Sequence, residues 1–153
     1  MKKRTNLILA GTLAAGMLLS ACASKATTIR FATGGNTGTY YAFGTAVGQI
    51  LGTKAGATFN VQSTGASKAN IQLIAANEVD MAIVQNDVMD YAFKGTDLFA
   101  ADGALKGFSA MAAVYAEVVQ IVADPSAGIT SIADLKGKNV SVGDAGSGVE
   151  FNA

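Results

Sequence analysis

Three short loops rich in glycine and hydroxyl side chains contain most of the residues that could bind a ligand. They are Gly34–Tyr40, Ser63–Ser67 and Gln85–Asp87. A glycine-rich turn that leads into a helix leaves backbone N–H groups free, and such groups favour an anion or a carbonyl oxygen. Taken alone, the first loop is equally well explained as a tight turn that binds nothing.

The glycine spacing of the first loop does not fit a nucleotide site. The dinucleotide fingerprint requires Gly-x-Gly-x-x-Gly, whereas Gly34 and Gly35 are adjacent here. The phosphate loop ends in Gly-Lys followed by serine or threonine, whereas Gly38 is followed directly by Thr39. The loop therefore predicts only the general property of such turns, which is an affinity for a small anion.

The composition restricts the catalytic chemistry that the chain can perform. The sequence contains no histidine, and Cys22 is its only cysteine. Ser-His-Asp and Cys-His arrangements are therefore excluded, and a zinc site would need carboxylates alone. The stretch around Ser147 lacks the flanking glycines of a nucleophile elbow, since Ala145 and Val149 stand at those positions. We expect no metal, no cofactor and no enzymatic activity, with a carboxylate-based hydrolase as the alternative from a different class.

Residues 1–21 are typical of a lipoprotein signal peptide. A basic start, Lys2 to Arg4, precedes an apolar stretch over 7–19, and small residues stand just before Cys22. We predict lipidation of Cys22, a tether over 22–27, and a location on the periplasmic or extracellular face of a bacterial membrane. An ordinary secretory signal with an incidental cysteine is the alternative.

The charge balance after signal cleavage argues against a nucleic-acid partner. The whole chain has 11 basic and 11 acidic residues. Removal of the three basic residues at its start leaves 8 basic and 11 acidic residues, a net charge of −3. Neither the net charge nor a basic cluster indicates binding to nucleic acid.

The rest of the chain alternates predicted strands, loops and helices. The predicted strands are 28–33, 58–62, 80–84, 108–114, 118–123 and 139–142. The predicted helices are 39–51, 68–76, a short helix that Asp87 caps and that ends at Phe93, 132–135, and a helix that begins within 146–153. This order is typical of an α/β domain with a largely parallel sheet. Ligands bind beyond the carboxyl ends of such strands, which is where the three loops are expected to meet.

Five stretches in this order resemble the solute-binding proteins of TRAP transporters of the TAXI family. They are FATGGNTGTYYAFG, VQSTGASKANIQLI, VDMAIVQNDV, YAEVVQIVA and DLKGKNVSVGDAGSG, and the resemblance runs from about Ile29 to the last residue. The chain departs from the family pattern at Ala116, where Tyr-Pro-Glu is usual. It also departs at Ala145, where a proline often precedes Gly-Ser-Gly.

The resemblance implies a periplasmic binding protein-like fold of type II with two lobes. Such a protein captures a small organic acid or amino acid, often glutamate-like or a dicarboxylate, and delivers it to a permease driven by a cation gradient. Residues 28–124 would form the first lobe, and residues 125–153 the crossover and a truncated start of the second. Because a cleft needs both lobes, residues 22–153 alone are expected to bind solute weakly or not at all. A binding protein of an ABC importer, which shares the fold, is the alternative within this class.

A carboxylate solute is expected to rest on backbone N–H groups near Thr37 to Thr39, with Tyr40 and Tyr115 as aromatic walls. Arg30, the only arginine after the signal, is expected at the surface. Asp87 and Glu117 are expected to be caps or hinge contacts and not ligand groups. The full set of predicted solute-binding residues is Gly35, Thr37, Gly38, Thr39, Tyr40, Ser63, Thr64, Ser67, Gln85, Tyr115, Ser147 and Gly148.

Overall fold

The computed structural model describes residues 27–153; the predicted signal peptide and Cys22 lie outside the described residues. Residues 27–153 form three strands, each followed by an α-helix, and a fourth α-helix at the end. They are β1 (Thr28–Ala32), α1 (Thr39–Ala55), β2 (Thr58–Gln62), α2 (Ser67–Ala75), β3 (Met81–Ala82), α3 (Asn86–Lys94) and α4 (Gly148–Asn152). Short 3-10 helices lie at Asp97–Phe99, Pro125–Ala127 and Ile132–Leu135.

The three strands form one parallel sheet in the order β2-β1-β3. Thr28 pairs with Thr58 at one end of the β1–β2 ladder, and Ala32 pairs with Gln62 at the other. On its other side β1 pairs with β3, with Ala32 opposite Ala82. The carboxyl ends of all three strands therefore meet at one edge, and the prediction of a parallel α/β sheet is confirmed for these strands.

Helix α1 packs closely on the sheet because glycines face the strands. A Cβ atom at Gly44 would lie 2.5 Å from Cγ2 of Thr33, and one at Gly48 would lie 3.1 Å from Cβ of Phe59. Both glycines are buried. The helix ends at Gly56, whose left-handed φ of 65° lets its N–H bond to Gly52 O.

The main apolar cluster lies between α2, α3 and the 3-10 helix that follows. Its buried members are Ile71, Val88, Ala92 and Phe99. The cluster thus ties the helices after β2 and β3 to each other, and the loops that begin those helices are held in fixed relative positions.

Three predicted strands do not form. Residues 108–114, 118–123 and 139–142 have no strand partner within the described part of the chain. A strand requires a neighbour for its backbone groups, so an apolar pattern alone does not create one. Most of their side chains are accordingly exposed, with Met111 80% and Val122 91% accessible.

Strand β3 is shorter than the predicted 80–84. The N–H of Ile83 still donates to Ala32 O at 3.1 Å. Its carbonyl, however, accepts from the side-chain Nδ2 of Asn70 at 2.8 Å instead of from a further strand. The pairing of β3 with β1 therefore ends where a side-chain hydrogen bond replaces the hydrogen bonds between strands. None of the helices in residues 27–153 is both long and apolar enough to cross a bilayer.

Candidate functional site

The three polar loops meet at the carboxyl edge of the sheet. The loop after β2 is joined to the loop after β1, because Ser63 Oγ donates to Gly34 O at 3.1 Å and Thr64 N donates to the same oxygen at 3.2 Å. The loop after β3 is joined to α2, because Gln85 N donates to Ser67 Oγ at 3.1 Å. The prediction that these loops converge is thus confirmed.

A fourth loop, residues 143–148, covers the same edge. Its Gly146 O accepts from the backbone N–H of Lys68 at 3.2 Å. The Asp144 carboxylate lies against Gly35, where an added Cβ would come within 2.8 Å of Oδ2. Gly148 lies against the amide of Gln85, which leaves no room for a Cβ. A Cβ at either glycine would therefore require the neighbouring side chain, Asp144 or Gln85, to shift.

Asn70, which the sequence analysis did not single out, joins the loops from below. It is fully buried, and its Nδ2 donates to Thr33 O at 2.6 Å and to Ile83 O at 2.8 Å. Its Oδ1 accepts from the Thr64 hydroxyl at 2.5 Å. The signal in the sequence is a polar residue beside Ile71 on the apolar face of α2. Asn70 thus ties the ends of β1 and β3 to the second loop.

Helix α1 begins at this edge with its N–H groups unused. Gly38 is the N-cap residue and provides no side chain, and among residues 27–153 no acceptor contacts the N–H groups of Thr39, Tyr40 or Tyr41. Thr37, Gly38 and Thr39 are exposed. The positive end of a 17-residue helix therefore faces the outside of the loop cluster.

Helices α2 and α3, which also begin at this edge, are served by protein acceptors. The Gly146 carbonyl lies at the start of α2, as described above. At α3 the prediction that Asp87 is the N-cap is wrong, because Gln85 holds that position and Asp87 lies in the first turn. Asp87 Oδ1 accepts from the N–H of Val88 at 2.8 Å, and its Oδ2 accepts from Asn152 Nδ2 at 3.2 Å. Asp87 therefore joins α3 to α4.

Four of the predicted ligand hydroxyls hold the protein's own structure together. Ser63, Thr64 and Ser67 make the loop contacts given above. The fourth, Ser147, is 7% exposed, and its Oγ accepts from the N–H of Glu150 at the start of α4. These hydroxyls shape the edge of the sheet.

An aromatic group with one carboxylate stands beside the start of α1. The Tyr115 ring packs edge-on against Phe43 and Tyr40, with centroids 5.5 and 6.5 Å apart. The Tyr40 hydroxyl donates to Glu117 Oε2 at 3.0 Å. Burial, together with the Glu117 charge, raises the pKa of Tyr40 above its ordinary value, and the same two causes raise the pKa of Tyr115. Both tyrosines are therefore neutral hydroxyl groups at physiological pH.

A broad cavity of about 2430 Å³ opens beside the loop cluster. Of the predicted binding residues, Thr39, Tyr40, Gln85 and Tyr115 line it, and so does Glu117. The volume exceeds the roughly 300–1,000 Å³ of a typical small-ligand site, because the cavity continues along residues 107–142. The part next to α1 is lined by Thr39, Tyr40, Tyr115 and Glu117.

Arg30 and Lys68 are engaged with other groups, whereas Lys136 and Lys138 line the cavity. Arg30 forms an ion pair with Asp80, with Nη2 2.7 Å from Oδ1, and both side chains are partly exposed. The Lys68 ammonium lies 5.9 Å from the centroid of the Phe99 ring. The expectation that Arg30 is a surface residue rather than a carboxylate clamp agrees with this position. Within the described part of the chain, no group of three or more acidic or cysteine side chains could hold a metal ion.

A comparison with protein families identifies the family to which this chain belongs. The NMT1-like family matches residues 31–153, which includes all of the loops described above. The chain belongs to the NMT1-like family. NMT1-like proteins are periplasmic solute-binding proteins, so the family indicates a receptor that binds a small molecule and works with a transporter. The three-stranded parallel sheet is compatible with part of a periplasmic binding protein-like domain.

Proposed function

We propose that this protein is an extracytoplasmic receptor that captures a small organic acid or amino acid for a TRAP-type transporter of the TAXI family. The solute would be glutamate-like or a dicarboxylate in the broadest form of the proposal, and it would be released chemically unchanged. The membership of a solute-binding family supports the receptor role. The five motifs quoted above support the TAXI assignment.

One observation carries the proposal: the unused N–H groups at the start of α1 face an open, polar part of the sheet edge. The N-terminus of a helix attracts an anion through both its free donors and its dipole. The neighbouring helices already have protein acceptors at their first turns. A solute carboxylate would therefore bind most favourably at the N-terminus of α1.

The residues divide into two groups in this proposal. The solute would contact the loop and first turn of α1 together with the residues that line the cavity beside it. These residues are Gly35, Thr37, Gly38, Thr39, Tyr40, Gln85 and Tyr115. The remaining residues, Ser63, Thr64, Ser67, Ser147 and Gly148, would hold the loops at the distances that the first group requires.

Membrane attachment through Cys22 belongs to the same proposal. A lipid on this residue would keep the receptor near its permease, and residues 22–27 would act as a tether. The test is incorporation of labelled fatty acid, which the wild-type protein should show and Cys22→Ser should abolish. Release of unlabelled wild-type protein into the medium would contradict the anchor and leave the receptor role intact.

The receptor role is tested by a thermal-shift screen of the full-length mature protein, as its gene encodes it, against small carboxylates and amino acids. We expect a small set of related solutes to raise the melting temperature, and calorimetry to give saturable binding with one site. A screen in which no carboxylate or amino acid raises the melting temperature would contradict the proposal.

A further inference from the structure

The fourth loop and α4 together form a strap, residues 143–152, that lies over the starts of α2 and α3. Two side-chain contacts fasten it to α3. The Asn152 amide donates to Asp87 Oδ2 at 3.2 Å. The Phe151 ring packs edge-on against Tyr91, with centroids 5.1 Å apart. The attachment to α3 therefore depends on two residues at the end of the strap.

Little of the strap is buried. Within it only Ser147 and Gly148 are buried, and Val149 is 61% exposed. Two of its hydrogen bonds are internal, because Glu150 Oε2 accepts from the Gly146 N–H and Ser147 Oγ accepts from the Glu150 N–H. A segment with few buried apolar contacts opens at a lower free energy than the core. The strap can therefore leave α2 and α3 and keep its own shape.

The closed strap leaves one buried acceptor without a partner. Gln85 Oε1 lies against Gly148, and no donor in the described part of the chain reaches it. A buried acceptor that has lost water and gained no donor destabilises the arrangement that buries it. When the strap opens, Gly148 moves away and water reaches the oxygen. The Gln85 amide thus favours the open strap, whereas the contacts with Asp87 and Tyr91 favour the closed one.

We propose that the strap is a two-state element that opens from α2 and α3 while the sheet stays folded, and that the unpaired oxygen of Gln85 sets how often it opens. The closed state pairs the Lys68 N–H with Gly146 O and leaves Gln85 Oε1 unpaired. The open state frees the Lys68 N–H and hydrates Gln85. The inference goes beyond the proposed receptor function, and its test needs no solute.

The amide of Lys68 reports the opening, because its acceptor is Gly146 O in the strap. The amide of Asn70 is the internal reference, since it donates to Ala66 O at 2.8 Å within the same turn of α2. The experiment is hydrogen exchange followed by NMR on the full-length mature protein as its gene encodes it. We expect Lys68 to be at least about 10-fold less protected than Asn70, because opening of the strap exposes only the first of these amides.

Two substitutions shift the opening in opposite directions. Gln85→Met replaces the amide by an apolar chain of similar length, so it should raise the protection of Lys68 by about 3-fold or more. Phe151→Ala removes the ring contact with Tyr91, so it should lower the protection of Lys68 by about 5-fold or more. The protection of Asn70 should stay within about 2-fold of the wild-type value in both variants.

The matched control is Gln72→Met, the same chemical change at an exposed position of α2, where the side chain faces Asp102. It should leave Lys68 and Asn70 as they are in the wild type. Unchanged or lower protection of Lys68 in Gln85→Met would overturn the role of Gln85. Equal protection of Lys68 and Asn70 in the wild type, or parallel changes at both in Phe151→Ala, would overturn the two-state strap.

Discussion

At the scale of single residues, Asn70 is the side chain on which the geometry of the site depends most. It is fully buried and satisfies two carbonyl groups, Thr33 O and Ile83 O, at the ends of β1 and β3. When a buried polar group loses its hydrogen-bond partner, the free-energy cost of its desolvation is no longer compensated. We expect Asn70→Ala to lower the free energy of unfolding by about 2–4 kcal/mol.

Urea denaturation measures the effect of Asn70→Ala, with Asn60→Ala as the control. Asn60 is an exposed residue of β2, so its substitution should change the unfolding free energy by less than about 0.5 kcal/mol. A loss below about 1 kcal/mol in Asn70→Ala would mean that water replaces the side chain easily.

Thr39 tests the binding role of the helix terminus. Its hydroxyl is exposed at the first position of α1. If the hydroxyl donates to a solute carboxylate, Thr39→Ala should weaken binding by about 1–2 kcal/mol, or roughly 5- to 30-fold in Kd. Folding should be almost unaffected, since the residue is not buried.

The matched control for Thr39 is Thr53→Ala on the same helix. The Thr53 hydroxyl donates to Gln49 O near the opposite end of α1, so its loss should leave the affinity unchanged. Calorimetry with the solute found by screening compares the two variants. Equal affinities in Thr39→Ala, Thr53→Ala and the wild type would assign the glycine loop to turn formation alone.

At the scale of elements, the packing of α1 on the sheet fixes where its N-terminus points. A Cβ at Gly44 would meet Thr33, which is fully buried and bonded through Oγ1 to Gln62 O at 2.7 Å. We expect Gly44→Ala to cost about 1–3 kcal/mol through overpacking, partly offset by about 1 kcal/mol of helix propensity.

The expected result for Gly44→Ala is therefore a net loss of unfolding free energy, measured by urea denaturation. Gly107→Ala is the control, because a Cβ there meets nothing within 4 Å and the residue has no left-handed φ. A stabilised Gly44→Ala would show that the helix moves away from the sheet at little cost.

The ion pair between β1 and the start of β3 gives the sheet a dependence on pH. Hydrogen bonds from Arg30 lower the pKa of Asp80 from 3.8 to about 2. Because the folded-state pKa is depressed, the stabilisation is complete above about pH 4 and disappears as the pH falls towards 2. Asp80→Asn should remove this part of the acid sensitivity.

Urea midpoints measured between pH 6 and pH 2 test the role of Asp80. The wild-type midpoint should fall more steeply below pH 4 than that of Asp80→Asn, so the two curves should approach each other in acid. Parallel curves over the whole range would mean that the pair is too exposed to contribute, since both side chains are partly accessible.

The elements that the sequence predicted correctly are those that have a packing partner in the described part of the chain. Strands β1 and β2 and helix α1 have local patterns that agree with their packing. The stretch 118–123 has an equally strong apolar pattern, yet it forms no strand, because pairing is a property of two segments and the pattern describes one.

At the scale of the whole molecule, the meeting of the three polar loops was predictable from the sequence, and the contacts of their individual side chains were not. Parallel strands bring their following loops to one edge, which is a consequence of topology alone. Whether a hydroxyl such as Ser67 faces a solute or a neighbouring N–H depends on side-chain contacts that the sequence does not contain. Asn70 and Glu117 were missed or set aside for the same reason.

The central claim, that this NMT1-like protein is a receptor for a small carboxylate solute, is tested most directly by identifying what it binds and what it returns. The full-length mature protein is saturated with the solute found by screening, washed and then denatured. The released solute is identified and quantified by mass spectrometry. The account predicts about one equivalent of chemically unchanged carboxylate or amino acid per protein, with less retained by Thr39→Ala. Recovery of an altered molecule would contradict it, because a receptor performs no chemistry on its solute.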